Sequence, residues 1–299
     1  MPRPIPFTVH ARWPERAPER FSSLIRTDSP EGCAIAMLGM PDDTGVKLNG
    51  GRVGAAEGPA AFRRALARYG AAAPPGRPWP IVYDAGDVPA AGREPKSIHE
   101  THDRIAEAAA AIHAQGLLPV GIGGGHDLTF PFVRALAERG EKLAGVYFDA
   151  HLDVRPQVGS GMPFRALLEK HPLDSLGVFG VNPLVNSAEH AAYFRERGGR
   201  VYREDALGPL LDAPGPDLFV SFDLDVLDAA FAPGVSAMNP AGWTPRQAEA
   251  AAFAAGRCAR VRCFDIMELS PPNDDMDRTA RLAAHLFLTF LRGFAERTA

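Results

Sequence analysis

Disulfide chemistry has almost nothing to work with in this chain. Its 299 residues include three cysteines, Cys33, Cys258 and Cys263, an odd number without CxxC spacing. That excludes a disulfide scaffold and a cysteine-based zinc site, and it fits thiols kept reduced in the cytoplasm. No apolar run opens the chain, and none reaches the roughly 20 residues that cross a bilayer, so neither a signal peptide nor a membrane helix is expected. Basic clusters are missing too. With a net charge of −4 at pH 7 and no basic stripe, nucleic acid is not an expected partner, and a small-molecule ligand is. Internal repeats and long linkers are also absent.

Apolar residues make up 46% of the chain, ample for a core. Residues 1–30 are rich in proline and arginine and lack periodicity. They read as an arm that packs on the surface or on a neighbouring subunit. Strand-type runs then fall at 34–38, 81–83, 118–122, 143–148, 176–179, 200–202, 218–222 and 261–266. Helical patterns lie between most of them, at 59–69, 97–115, 128–139, 188–197, 245–254 and 278–294, with Pro59 and Pro245 near helix starts. Continuous apolar strands alternating with helices imply an α/β fold: a mostly parallel sheet of about eight strands covered on both faces. One three-layer α-β-α domain over 31–299 is the simplest organisation.

Three strand ends carry metal-binding side chains: Gly123-Gly124-Gly125-His126-Asp127, Asp149-Ala150-His151-Leu152-Asp153, and Ser221-Phe222-Asp223-Leu224-Asp225. Alternation along a strand brings Asp149, His151 and Asp153 to one side, and Asp223 with Asp225. Neither acidic segment contains a basic residue to neutralise it, and buried carboxylates need partners. Cations supply them. If Asp149 and Asp223 bridge, one ion takes His126 and Asp153 as well, and the other takes His151 and Asp225. Four carboxylates against two divalent ions give a neutral cluster suited to activating water. Oxygen-rich ligation with one imidazole per ion suits Mn²⁺, with other divalent metals open. The glycine run also resembles a dinucleotide-binding turn, but His126 stands where a third glycine belongs and Asp149 is already used. Ligands of parallel α/β sheets bind beyond the carboxyl ends of the strands, where all three segments lie.

In combination, Gly-Gly-Gly-His126, Asp149-Ala-His-Leu-Asp153, Ser221-Phe-Asp-Leu-Asp-Val-Leu-Asp228 and Asp265-Ile-Met-Glu268-Leu-Ser-Pro271 resemble the ureohydrolase family: arginase, agmatinase and formimidoylglutamase. The resemblance spans about 35–294. It implies a three-layer arginase-like domain, two Mn²⁺ per subunit and hydrolysis of C–N bonds in amidines or guanidines. By position, His126, Asp149, His151, Asp153, Asp223 and Asp225 match the family's metal ligands. Glu268 matches the acidic residue that contacts the substrate's cationic group. Many relatives are trimers or hexamers, so a homo-oligomer is expected.

Segments around Asn49–Pro59, Gly159–Arg165 and Ala232–Ala237 resemble formimidoylglutamase more than arginase, as does Arg155 two residues after Asp153. That reading makes N-formimidoyl-L-glutamate the substrate, with L-glutamate and formamide as products, a step of histidine degradation. Arg155, Arg165 and Asn182 are then candidates to hold its carboxylates. Asp225 or Asp127 is the candidate to steer the attacking water, and Glu268 to hold the amidine nitrogens. Ser160 stands where agmatinase-type relatives carry a proton-transferring histidine, which leaves the leaving-group proton donor open. Two alternatives stand beside this reading. One is an agmatinase or other guanidino-acid hydrolase. The other is a catalytically silent, metal-stapled binding protein, against which the full ligand set weighs.

Overall fold

The computed structural model describes residues 4–73, 76–92, 94–140 and 142–297. The first three residues of the expected arm and the last two of the domain lie outside the described residues. Eight strands form: β1 (Ile35–Met40), β2 (Val82–Asp87), β3 (Leu118–Gly123), β4 (Leu143–Phe148), β5 (Leu173–Phe179), β6 (Gly199–Tyr202), β7 (Asp217–Asp223) and β8 (Val261–Met267). Each overlaps one of the expected apolar runs, β1 and β2 starting one residue later than expected. β1, β3 and β4 are buried at every position, as strands covered on both faces must be. All pairings between neighbouring strands are parallel, in the order β2-β1-β3-β8-β7-β4-β5-β6.

The helices are α1 (Thr44–Leu48), α2 (Gly58–Leu66), α3 (Ile98–Ala114), α4 (Thr129–Ala137), α5 (Pro163–Lys170), α6 (Ala188–Glu196), α7 (Leu207–Asp212), α8 (Pro245–Arg257) and α9 (Arg278–Phe294). Strand alternation divides the core. Ile35 and Met37 of β1 pack with α2, α8 and α9, while Ala36, Leu38 and Met40 pack with α3, α4 and α5. Three layers result. Thr244 caps α8 through a reciprocal capping box with Gln247, and Pro245 occupies its first turn. α8 and α9 approach closely because Gly256 faces the Phe290 carbonyl and Gly293 the Phe253 carbonyl; a Cβ at either would collide with backbone.

The arm, as far as it is described, lies on its own subunit. Val9 and Arg26 bridge to Asp87 and Tyr83 and cover the outer edge of β2. Trp13 donates its indole N–H to Asp84 Oδ2 at 2.7 Å. Asp84 also receives the buried guanidinium of Arg63 at 2.9 Å, and Asp87 takes the same guanidinium at 2.6 Å. A buried cation paired on both sides is tolerated where a lone one is not.

The four central strands, β3, β8, β7 and β4, are neighbours. Their carboxyl ends carry the segments singled out from the sequence.

Candidate metal centre and active-site cavity

Local backbone chemistry aims each side chain. β3 leads into Gly124, which packs directly on the Asp42 backbone and has no room for a Cβ, and then into a single 3-10 turn over His126–Leu128. After β7, Asp223 Oδ1 accepts the backbone N–H of Asp225 at 2.7 Å, which curls the chain and turns Asp225 inward. Asp153 and Glu268 sit at φ 46° and 69°, left-handed conformations unfavourable for residues with a Cβ. Such strain costs on the order of 1–3 kcal/mol per residue and gathers where geometry serves a site.

The six expected ligand side chains converge into two groups, His126–Asp149–Asp153–Asp223 and Asp149–His151–Asp225. His126 Nδ1 lies 2.9 Å from Asp153, 3.0 Å from Asp223 and 3.2 Å from Asp149. His151 Nδ1 lies 2.9 Å from Asp225 and 3.3 Å from Asp149. Asp149 offers Oδ2 to the first imidazole and Oδ1 to the second, the disposition of a bridging carboxylate. Asp223 falls in the first group; its Oδ1 accepts the Asp225 N–H, as Asp149 Oδ1 accepts the His151 N–H at 2.6 Å.

Whether these residues fit cations can be read from their unsatisfied atoms. His126 Nδ1 and Asp149 Oδ2 are buried and make no aligned hydrogen bond, although three carboxylates crowd that nitrogen. One N–H cannot point at three oxygens; an ion set among all four atoms can. His126 Nε2 meets Ser221 Oγ at 3.0 Å, Ser221 donates to Asp265 Oδ1 at 2.6 Å, and Thr129 donates to Asp265 Oδ2 at 2.9 Å. This chain fixes the proton on Nε2 and frees Nδ1 as a ligand. Protonation tells the same story. Burial, then the charges of Asp153 and Asp225, push Asp149 up to about 6, and burial raises Asp223 well above the carboxylate range. His151 is raised by Asp225, against its burial. For His126, burial opposes a rise that Asp223 and its neighbours impose. Acids that resist ionising and imidazoles that hold protons mark a cluster short of positive charge. Two divalent ions fit it.

Beside the cluster lies a cavity of about 300 Å³ whose wall includes His126, His151, Asp153, Asp223, Asp225 and Glu268. Glu268 Oε1 accepts the His126 backbone N–H at 2.8 Å, while Oε2 is buried without an aligned hydrogen bond, with the Ser236 hydroxyl as the nearby group that favours its charged form. Burial pushes this carboxyl up to about 7. A cationic group entering the cavity would restore its charge. Arg155 and Ser160 also line the wall. Ser160 is held in place: its N–H donates to Gly45 O at 3.0 Å and its Oγ accepts from Asn49 at 3.1 Å.

Three expected site residues are placed elsewhere. Asp127 is turned away from the cavity and pairs with His102 at 2.8 Å, because successive residues in the turn after β3 face opposite ways. Arg165 lies along α5, bonded to Glu169 at 2.9 Å and stacked on Tyr193 at 4.1 Å. Asn182 braces two loops through Asn239 at 3.0 Å and lines a separate depression with Trp243. Conversely, Asn49 and Arg52, from the segment that resembles formimidoylglutamase, line the cavity without having been expected there, and Asn186 and His190 line it with no sequence signal of their own. The Ser221–Asp265 brace depends on their pairing across β7 and β8, a register that spacing does not reveal.

Comparison with known proteins agrees with this architecture. The model described as the Arginase family matches residues 33–292. Formimidoylglutamase from Aromatoleum aromaticum is 35% identical, over 92% of this chain and 86% of its own. The mitochondrial guanidino acid hydrolase of Homo sapiens is 32% identical, over 88% and 79%. Among solved structures, formiminoglutamase from Trypanosoma cruzi with Mn²⁺ superposes with a TM-score of 0.82 at 33% identity, covering 93% of this chain and 99% of that one. The chain belongs to the arginase family. It is accordingly an enzyme, a hydrolase acting on C–N bonds.

Proposed function

We propose that this enzyme hydrolyses N-formimidoyl-L-glutamate to L-glutamate and formamide, in the manner of histidine degradation, with two Mn²⁺ bound. The observation that carries the reading is a single cavity holding three things: the two ligand groups, the buried Oε2 of Glu268 and the unpaired guanidinium of Arg155. An amidinium with a carboxylate tail matches that pattern of charge. Agmatine, which has no carboxylate, does not. Sequence similarity to formimidoylglutamases supports the same substrate.

His126, Asp149, Asp153 and Asp223 would hold one ion, and Asp149, His151 and Asp225 the other. Bound there, divalent ions supply a water-derived nucleophile at neutral pH. Glu268 orients the formimidoyl carbon by pairing with its amidine nitrogens. Asp225, bonded to the Ala150 N–H at 3.3 Å, is fixed beside the reacting centre to receive a proton. Arg155 draws in a carboxylate, a charge-assisted contact that specifies the tail.

The test is kcat/KM for formimidoyl-glutamate, 4-guanidinobutyrate, arginine and agmatine on one Mn²⁺-loaded preparation. Formimidoyl-glutamate should lead by at least about tenfold, roughly 1.4 kcal/mol. Preference for 4-guanidinobutyrate would move the assignment to the guanidino acid hydrolases, whose human member is among the relatives.

A cytoplasmic homo-oligomer, a trimer or hexamer, completes the proposal. The three cysteines are free thiols, and Leu184, 92% exposed, lines a surface depression with the exposed Val201. Among the described residues no helix is long and apolar enough to cross a membrane. Light scattering should give a mass well above that of one 32.0 kDa chain.

A further inference from the structure

The cavity wall contains more polar side chains than are free to meet a substrate. Arg52 spends its guanidinium on the carbonyls of Pro233, Val235 and Ser236 at 2.6–3.4 Å. Asn186 accepts from Leu152 N and donates to the carbonyls of Ala150 and Asn182, each at 2.9 Å. Asn49 and Ser160 bond to one another. Outside the ligand cluster, the cationic or N–H-bearing side chains of the wall that engage none of their polar atoms in this way are Arg155 and His190. Neither makes a hydrogen bond, ion pair or ring contact among the described residues.

His190 is also held by the backbone. It lies in the first turn of α6, its N–H bonded to the capping Ser187 at 3.1 Å. The residue before that cap, Asn186, is tied to Ala150 and Leu152, inside the segment that carries Asp149, His151 and Asp153. The start of α6 is therefore fastened to the ligand segment. Arg155 and His190 line the same cavity of about 300 Å³, the scale of a small-molecule site.

We propose that His190 is a substrate-binding residue that, with Arg155, selects ligands carrying two carboxylates. Arg155 takes one carboxylate and the imidazole N–H of His190 takes the other, while Glu268 faces the amidine end. The inference rests on the proposed cavity reading but not on hydrolysis itself, so binding can test it separately.

The experiment is calorimetric titration of Mn²⁺-loaded protein with L-glutamate, 4-aminobutyrate, which lacks the α-carboxylate, and 2-aminobutyrate, which lacks the γ-carboxylate. Wild type is compared with His190→Ala, His190→Gln and Arg155→Ala, with metal content measured for each. His190→Ala should weaken L-glutamate about tenfold, as loss of one charge-assisted contact does. It should also weaken one monocarboxylate and spare the other; Arg155→Ala should show the complementary pattern. His190→Gln, which keeps an N–H donor, should recover most of the loss at wild-type metal content. L-glutamate affinity within twofold of wild type in His190→Ala would overturn the proposal. So would equal weakening of all three ligands, which marks a merely structural role. If the complementary pattern appears but formimidoyl-glutamate is not hydrolysed, the substrate reading fails and the two-carboxylate selection stands.

Discussion

The two imidazoles of the cluster occupy unlike surroundings. His126 is 1% exposed, faces three carboxylates, meets Phe164 edge-on at 5.3 Å and is braced through Ser221 to Asp265. His151 is 26% exposed, faces two carboxylates and has no such brace among the described residues. Burial and bracing fix ligands before an ion arrives, so less ordering is lost when it binds. The His126 group should therefore hold its ion tightly. The His151 group should exchange its ion more readily. Asp149 is the one member common to both, and the contrast depends on it.

The largest expected effect comes from removing that shared member. Asp149→Asn should cost at least one ion per chain by elemental analysis and bring hydrolysis below detection. Near-normal activity with both ions retained would show that nothing is shared. Next come the two histidines taken separately. His151→Asn should leave about one tightly bound ion per chain, whereas His126→Asn should leave less than one after the same dialysis. Equal losses would erase the proposed asymmetry.

A smaller effect is expected behind the cluster. Asp265→Asn weakens the acceptor for Ser221 and so the orientation of His126. Loss of such a partner typically costs about 10- to 100-fold in metal affinity. The loss should fall on the tightly held ion and be read by competition with a fluorescent chelator.

The smallest effect concerns the chelated protein and pH. Burial, their leading cause, lifts Asp149 and Asp265 to about 6 from an ordinary 3.8, and Glu268 to about 7 from 4.5. Raised carboxyls keep protons that the unfolded chain has already lost. Their contribution to stability is full below about pH 4 and disappears as pH rises through 6 to 7. The raised imidazoles act in the same sense above their ordinary value of 6.5. Asp225, lowered by His151 against its burial, acts oppositely, but only below 3.8; so does His113, which burial lowers to about 4, between there and 6.5. Above pH 6.5 all the shifted groups of the cluster act in one sense, so Tm of the chelated protein should fall from pH 6.5 to pH 8, while the rise in Tm on adding Mn²⁺ should grow over the same interval.

Legibility in the sequence followed the same divide between spacing and surroundings. Buried parallel strands are continuous apolar runs, so all eight could be found, and β4 appears at the expected residues. α1, α5 and α7 were not expected; they are short and carry glycine or proline within or at their starts, so no period develops. Period-two spacing was enough to gather Asp149, His151 and Asp153 on one side. It could not orient side chains in turns and loops or on the unexpected helix α5, and so Asp127, Asn182 and Arg165 were expected at a cavity they do not line. The brace behind His126 and the place of His190 come from strand register and loop closure, which join residues far apart in the chain.

The central claim is a pair of ions joined through Asp149, and anomalous diffraction from Mn²⁺-soaked crystals tests it most directly. The account predicts two peaks, one enclosed by His126, Asp149, Asp153 and Asp223 and the other by Asp149, His151 and Asp225, with the second weaker at limiting Mn²⁺. A single peak at saturation, or two peaks of which one lies away from Asp149, would contradict it.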